Sequence, residues 1–131
     1  MNILVAKVIN IESVDSLNIV NFTLEDQNLS MMSLDLDENV KVGVEVELSM
    51  NPSHVAIAKE FSGTLSYSNQ LKAKIVSLEN GELLSSVKLL VNGSELESII
   101  TLNSSKKMNL QVGDNVTLLI KASELSILRV L

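Results

Sequence analysis

The sequence carries the same two patterns twice, in the same order. The run KVINIE beginning at Lys7 returns as KIVSLE beginning at Lys74, 67 positions later. A valine–glycine pair followed by alternating apolar residues begins at Val42 and returns at Val112, 70 positions later. Because both matches keep their order and their spacings differ by only three residues, they indicate an internal repeat with one small insertion.

The repeat predicts two small domains, spanning residues 1–63 and 64–131, joined near the serine- and glycine-containing segment 60–68. A domain of about 65 residues buries only about 60% of its unfolded surface and is marginally stable alone. The chain is 46% hydrophobic with a mean hydropathy of +0.30. We therefore expect the surplus apolar surface to be buried between the domains or between the subunits of an oligomer.

Each repeat shows the two-residue periodicity of β-strands. Apolar and polar residues alternate strictly over 44–50, and 115–120 is the counterpart in the second copy. Further strands are expected at 71–78, 83–91, 96–101 and 125–130. The dipeptides Asn80-Gly81 and Asn92-Gly93 suit the positive φ of tight hairpin turns. A helix of one or two turns is expected at 104–110, with Ser104 as its cap. Five strands and one helical link per copy predict an all-β fold of two tandem five-stranded OB-like barrels.

The net charge of −6 is distributed unevenly. Residues 1–65 contain three lysines and ten acidic residues, a balance of −7, whereas residues 66–131 contain seven basic and six acidic residues, a balance of +1. A small anion should prefer the second half, and a nucleic acid should be repelled overall. Three aromatic residues, Phe22, Phe61 and Tyr67, are too few for the stacking platforms of nucleic-acid-binding OB domains.

Little in the sequence suggests catalysis, metal binding or a membrane. There is no cysteine, and His54 is the only histidine, so we expect no enzyme and no metal site, and we expect His54 to be a surface residue without a role. No apolar run approaches the roughly 18 residues needed to span a bilayer. The first residues lack the basic segment of a signal peptide, so we expect a cytoplasmic protein without membrane insertion.

Three motifs follow one another in the second half. SYSNQL begins at Ser66, ITLNS begins at Ile100, and IKAS begins at Ile120 after the Val-Gly pair at Val112. In this order they resemble the opening Ser-Ala-Arg-Asn-Gln-Leu, the Ile-Thr-x-x-Ser and the closing Ile-Lys-Ala-Ser of the molbindin (Mop or TOBE-domain) family. The first half resembles the family less: it lacks the opening motif, and Asn51-Pro52-Ser53 stands in place of Lys-Ala-Ser.

The resemblance implies a tandem two-domain protein that assembles as a trimer and binds molybdate or tungstate without a cofactor. The oxyanion-binding residues it implies are Ser66, Ser68, Thr101, Ser104, Lys121, Ala122 and Ser123. Hydroxyl groups, backbone N–H groups and one positive charge suit a tetrahedral dianion, which accepts hydrogen bonds and donates none. Glu124 follows directly, and alternation along a strand would turn it away from Ser123.

One departure from the family pattern concerns the charge of the site. Ser68 stands where the family has arginine, so Lys121 is the only charged member, and each lost charge-assisted hydrogen bond is worth about 1.5–3 kcal/mol. Weaker affinity, an altered ligand preference and compensation by Lys72, Lys74, Lys106 or Lys107 of another subunit remain open. The alternative function is an oligomerising regulatory module that contacts a molybdate ABC importer and has lost ligand binding. Storage, homeostasis and sensing remain open for the binder.

Overall fold

A computed structural model describes residues 2–131, and most of this range is β-strand. The first five strands are β1 (Asn2–Val14), β2 (Leu17–Leu24), β3 (Gln27–Ser33), β4 (Glu45–Met50) and β5 (Ala56–Ala58). The second five are β6 (Asn69–Asn80), β7 (Leu84–Val91), β8 (Ser94–Thr101), β9 (Asn115–Ile120) and β10 (Ser126–Val130). Helical structure is limited to α1 (Leu102–Lys107), a first 3-10 helix (Pro52–His54) and a second 3-10 helix (Ala122–Glu124). None of these helices is long and apolar enough to cross a membrane.

The strands form two five-stranded antiparallel sheets with the same internal order. The first sheet has the order β10-β4-β1-β2-β3, and the second has the order β5-β9-β6-β7-β8. The long first strand of each repeat shifts its register at an equivalent point, between Val8 and Asn10 in β1 and between Ile75 and Ser77 in β6. The sequence repeat is therefore a structural repeat, and the prediction of two tandem five-stranded OB-like domains is confirmed.

The two repeats exchange one strand each. β5, which follows the first 3-10 helix, pairs with β9 of the second repeat. β10, which follows the second 3-10 helix, pairs with β4 of the first repeat. The predicted domain boundary between residues 63 and 64 lies in the connection from β5 to β6, and backbone pairing crosses it in both directions. The buried apolar residues of both repeats also form one continuous core.

Two buried asparagines connect the repeats through their side chains. Asn2 donates from Nδ2 to the carbonyl of Glu97 (2.7 Å) and accepts at Oδ1 from the N–H of the same residue (2.8 Å). Asn69 makes the same pair of bonds with Ser30, at 2.9 and 2.7 Å. Each amide therefore satisfies a backbone donor and acceptor on the outer strand of the other repeat. Asn69 belongs to the opening motif, so the first half keeps this motif's asparagine as Asn2, contrary to the expectation from motif comparison.

The short helix begins earlier than predicted. The sequence places it at 104–110 with Ser104 as the cap, whereas α1 begins at Leu102 and is capped by Thr101. Thr101 still has the extended backbone of β8, and its Oγ1 accepts a hydrogen bond from the N–H of Ser104 at 3.1 Å. The strand therefore continues up to the cap, and Ser104 lies inside the helix.

The two Asn-Gly turns differ. Asn92 and Gly93 have φ angles of 47° and 85°, as expected for a tight hairpin between β7 and β8. Neither Asn80 nor Gly81 has a positive φ, so the prediction is wrong there. β6 continues through Asn80, and Gly81 donates to the carbonyl of Leu84 at 2.8 Å, which closes a wider turn.

Candidate oxyanion-binding site

Lys121 directly precedes the second 3-10 helix, where the chain turns from β9 towards β10. Its backbone is extended, like that of Asn51 before the first 3-10 helix. The Asn51 side chain bends back and accepts bonds from the N–H and the hydroxyl of Ser53, at 2.9 and 2.8 Å. Lys121 makes no such cap, and within residues 2–131 its ammonium forms no ion pair. This ammonium is therefore available for an external anion.

The Lys121 side chain faces a cavity of about 310 Å³ between the two 3-10 helices and β8. This Lys121 cavity is lined by Ser53, His54, Val55, Ala56, Tyr67, Ile99, Ile100, Lys121 and Glu124. Its walls come from both repeats, because the strand exchange brings the first 3-10 helix beside β8. A hydroxyl of Ser98 on β8 donates to the carbonyl of Val55 at 2.5 Å and fixes this contact.

Ser66 and Ser68 lie just before β6, on either side of a residue that reaches the Lys121 cavity. That residue is Tyr67, whose carbonyl accepts a bond from the Gln70 side chain at 3.0 Å. Both serines are exposed. The predicted opening motif therefore lies beside the cavity, with Asn69 anchored in the core behind it.

Thr101 and Ser104 are brought together at the start of α1. The Thr101 hydroxyl donates to the Ser104 hydroxyl at 2.9 Å, and both side chains are exposed. Thr101 faces a different depression, which also contains Lys106 and Leu83. Its neighbour Ile100 lines the Lys121 cavity, so the hydroxyl pair lies at the margin of that cavity and outside it.

Ala122 and Ser123 follow Lys121 within the second 3-10 helix. Ala122 is half-buried, and Ser123 is exposed on the opposite side of the turn. There Ser123 lines a cavity of about 380 Å³ between β3 and β10, together with Asp35, Asp37 and Arg129. This second cavity occupies the equivalent place in the first repeat. Within one chain, Lys121, Thr101 and Ser123 therefore line three different surface cavities.

Glu124 lines the same cavity as Lys121, which the sequence analysis did not predict. Residues 122–124 form a 3-10 helix and no strand, so strict alternation does not apply. Glu124 does turn away from Ser123, but it faces the Lys121 cavity, where its Oε2 lies 2.8 Å from Nδ1 of His54. Half-exposed His54, expected to be without a role, thus joins the two 3-10 helices. No sequence motif predicts this pair, because its members are 70 positions apart.

The lysines named as possible substitutes for the family arginine lie elsewhere in the chain. Lys72 and Lys74 are exposed on β6, and Lys106 and Lys107 are exposed at the end of α1. None of the four lines the Lys121 cavity. Within residues 2–131, no three His, Cys, Asp or Glu side chains are grouped to hold a metal ion.

Comparison with known proteins identifies the second repeat most directly. The TOBE domain family matches residues 65–127. A probable molybdenum-pterin-binding protein of Haemophilus influenzae is 38% identical over 64 residues, which are 48% of this chain and 93% of that protein. Molybdenum-pterin-binding protein 1 of Clostridium pasteurianum is 35% identical over 66 residues, which are 50% of this chain and 97% of that protein.

Solved structures extend the likeness to the whole chain. The cytoplasmic molybdate-binding protein ModG, in a crystal form with molybdate bound, superposes with a TM-score of 0.89 at 23% identity, over 96% of this chain and 94% of that chain. A molybdate-binding protein from Sporomusa ovata superposes with a TM-score of 0.50 at 31% identity, over 51% of this chain and its own full length.

The strand order and the repeated 3-10 helices define a tandem OB-like protein of two structurally equivalent domains. With the matches above, the chain belongs to the molbindin/TOBE family, as a member that carries two domains in tandem.

Proposed function

We propose that this protein binds molybdate or tungstate in the cytoplasm, without catalysis and without a cofactor, for storage, homeostasis or sensing. The observation that carries the proposal is the Lys121 ammonium, which lies beside a cavity in the closing motif of the family and forms no ion pair within residues 2–131. The relatives named for molybdate or molybdenum-pterin binding support this ligand class. A lysine ammonium supplies the fixed positive charge that a dianion requires.

The complete site requires more than one chain. Six of the seven proposed ligands are exposed, and three of them, Lys121, Thr101 and Ser123, line three different cavities of one chain. Water competes with a dianion for exposed hydrogen-bond donors. Binding is therefore strongest where a second protein surface covers the ion and excludes water. We infer a homo-oligomer, proposed to be a trimer, in which the hydroxyls beside Tyr67 or at Thr101 of one chain face Lys121 of a neighbour.

Exposed apolar side chains at equivalent positions of the repeats support such an assembly. Leu17 and its counterpart Leu84 are 40% and 56% exposed, and Val42 and its counterpart Val112 are 62% and 63% exposed. Exposed apolar side chains at equivalent positions of both repeats suggest that each repeat uses the same surface to contact another subunit.

Calorimetric titration with molybdate tests the role of Lys121. We expect saturable binding to the wild type and at least about tenfold weaker binding to Lys121→Ala, because a charge-assisted hydrogen bond is worth about 1.5–3 kcal/mol. Lys88→Ala is the matched control, since Lys88 lies on β7 within 4.0 Å of Glu95 and does not line the cavity. Equal affinities of Lys121→Ala and the wild type would remove Lys121 from the site.

A second candidate function is an oligomerising regulatory module that contacts a molybdate ABC importer. The first repeat favours it, because Asn51 replaces the lysine and caps its own 3-10 helix. The equivalent cavity contains Asp35 and Asp37, and its one basic residue, Arg129, is paired with Glu47. An oligomer that gives no saturable heat with molybdate, tungstate or sulfate at millimolar concentrations would favour this function over oxyanion binding.

A further inference from the structure

The Lys121 cavity contains a carboxylate as well as an ammonium. Glu124 is three residues after Lys121 in the same turn, and its N–H donates to the Lys121 carbonyl at 2.9 Å. Both side chains line the same cavity. A carboxylate this close in sequence is the natural internal counterion for Lys121, and pairing between them would compete directly with an external anion.

In the structure, the Glu124 carboxylate is instead engaged by the other repeat. Nδ1 of His54 lies 2.8 Å from Oε2 of Glu124, and the two side chains are 49% and 37% exposed. His54 is placed there by the first 3-10 helix, which ends at His54 and packs beside β8. The contact depends on the strand exchange, because that exchange places the first 3-10 helix beside the second.

The groups that face this pair are few. The second 3-10 helix contributes Glu124, with Lys121 preceding it, and the segment before β6 contributes Tyr67. β8 contributes only Ile99 and Ile100, which carry no charge. Among the residues that line the cavity, Glu124 therefore has two possible basic partners, His54 and Lys121, and engagement by one weakens engagement by the other.

We propose that His54 is a positioning residue that holds the Glu124 carboxylate away from Lys121 and so keeps the Lys121 ammonium available to an oxyanion. The His54 imidazole lies within hydrogen-bonding distance of the carboxylate, so its removal would leave Glu124 free to turn towards Lys121. The effect of His54 on ligand binding rests on the proposed oxyanion function, but the contact between His54 and Glu124 can be tested without a ligand.

The first experiment measures molybdate affinity by calorimetric titration of the wild type and of variants at His54 and Glu124. We expect His54→Ala to bind molybdate about three- to fivefold more weakly than the wild type, in line with the strength of exposed pairs. The double variant His54→Ala/Glu124→Gln should recover wild-type affinity, because it lacks the Glu124 carboxylate that would otherwise pair with Lys121. Equal molybdate affinities of His54→Ala and the wild type would overturn the proposal.

The second experiment needs no bound anion. Trinitrobenzenesulfonate labels free amines, and peptide mass spectrometry gives the labelling rate of Lys121 relative to that of Lys88 in the same sample. We expect slower labelling of Lys121 in His54→Ala and recovery in the double variant. If the wild type binds no molybdate but labelling follows this pattern, the proposed function fails and the positioning role of His54 stands. If the labelling rate of Lys121 is the same in both variants as in the wild type, the positioning role is refuted.

Discussion

At the residue before each 3-10 helix, the same backbone geometry carries two different side chains. Asn51 folds back onto Ser53 and satisfies its own turn, whereas Lys121 leaves its turn uncapped and projects its ammonium. The cavities next to these positions also differ in charge. The first is lined by Asp35, Asp37 and Arg129, whose guanidinium is paired with Glu47, whereas the second contains Lys121. We therefore expect anion binding to be confined to the Lys121 cavity.

The buried amide of Asn69 provides a test of how the repeats are held together. Asn69→Ala removes two hydrogen bonds and leaves the N–H and the carbonyl of Ser30 without these partners. We expect the free energy of unfolding, measured by urea denaturation, to decrease by about 1–3 kcal/mol, the cost of leaving a part-buried polar group unsatisfied. Asn28→Ala, at an exposed position on the same strand as Ser30, is the control and should change stability little. Equal stability of Asn69→Ala and the wild type would show that this bond pair is not stabilising.

Single residues of the site were only partly predictable from sequence. The motifs predict Lys121 and the hydroxyl residues as ligands because those motifs are local in the chain, and these assignments stay predictions. The spacing of 67 residues could also have revealed Asn2 as the counterpart of Asn69, since it equals the spacing of Lys7 and Lys74. The His54–Glu124 contact could not be predicted in this way, because it depends on how distant strands pair.

Among the elements, the exchanged strand β5 is secured to the second repeat by an ion pair. Lys59, which follows β5, places Nζ 3.0 Å from Oδ2 of Asp114 and donates to the carbonyl of Asn109 at 2.7 Å. The hydrogen bond from Lys59, followed by one from the N–H of Gln111, lowers the pKa of Asp114 below its ordinary value of 3.8. A lowered pKa in the folded state means that the ionised carboxylate stabilises the fold.

This pKa shift predicts how stability depends on pH. The contribution of Asp114 is fully present above about pH 4 and is lost as the pH falls through the lowered pKa of the folded state. We expect Asp114→Asn to be less stable than the wild type near neutral pH, and the difference to shrink in acid. Denaturation curves collected from neutral to acidic pH measure this, with Asp26→Asn in the exposed turn after β2 as the control. A stability difference that does not depend on pH would contradict the assigned pKa shift.

The strands were predicted where their pattern is local and regular. The alternation over 44–50 and 115–120 corresponds to β4 (Glu45–Met50) and β9 (Asn115–Ile120). β5 has only three residues and shows no periodicity of its own. β5 also pairs with β9, a strand that lies far away in sequence. The strand exchange is therefore not evident in any single segment.

For the whole molecule, the repeated exposed apolar positions give a prediction about assembly. We expect light scattering after size exclusion to give the mass of three chains for the wild type. Val42→Asp/Val112→Asp should shift this mass towards one chain, because a carboxylate buried at an interface loses its hydration. Val14→Asp is the control: Val14 is 72% exposed, but its counterpart in the second repeat is Gly81. A double variant that keeps the wild-type mass would place Val42 and Val112 outside the interface.

The crossed pairing of β5 and β10 also limits how the chain can be divided. A fragment of residues 64–131 would lose the neighbour that covers the outer edge of β9 and would carry β10 without β4 beside it. Unpaired strand edges are templates for association with other chains. Cutting the polypeptide in the middle would therefore release a half that needs a second copy beside it to pair these strand edges.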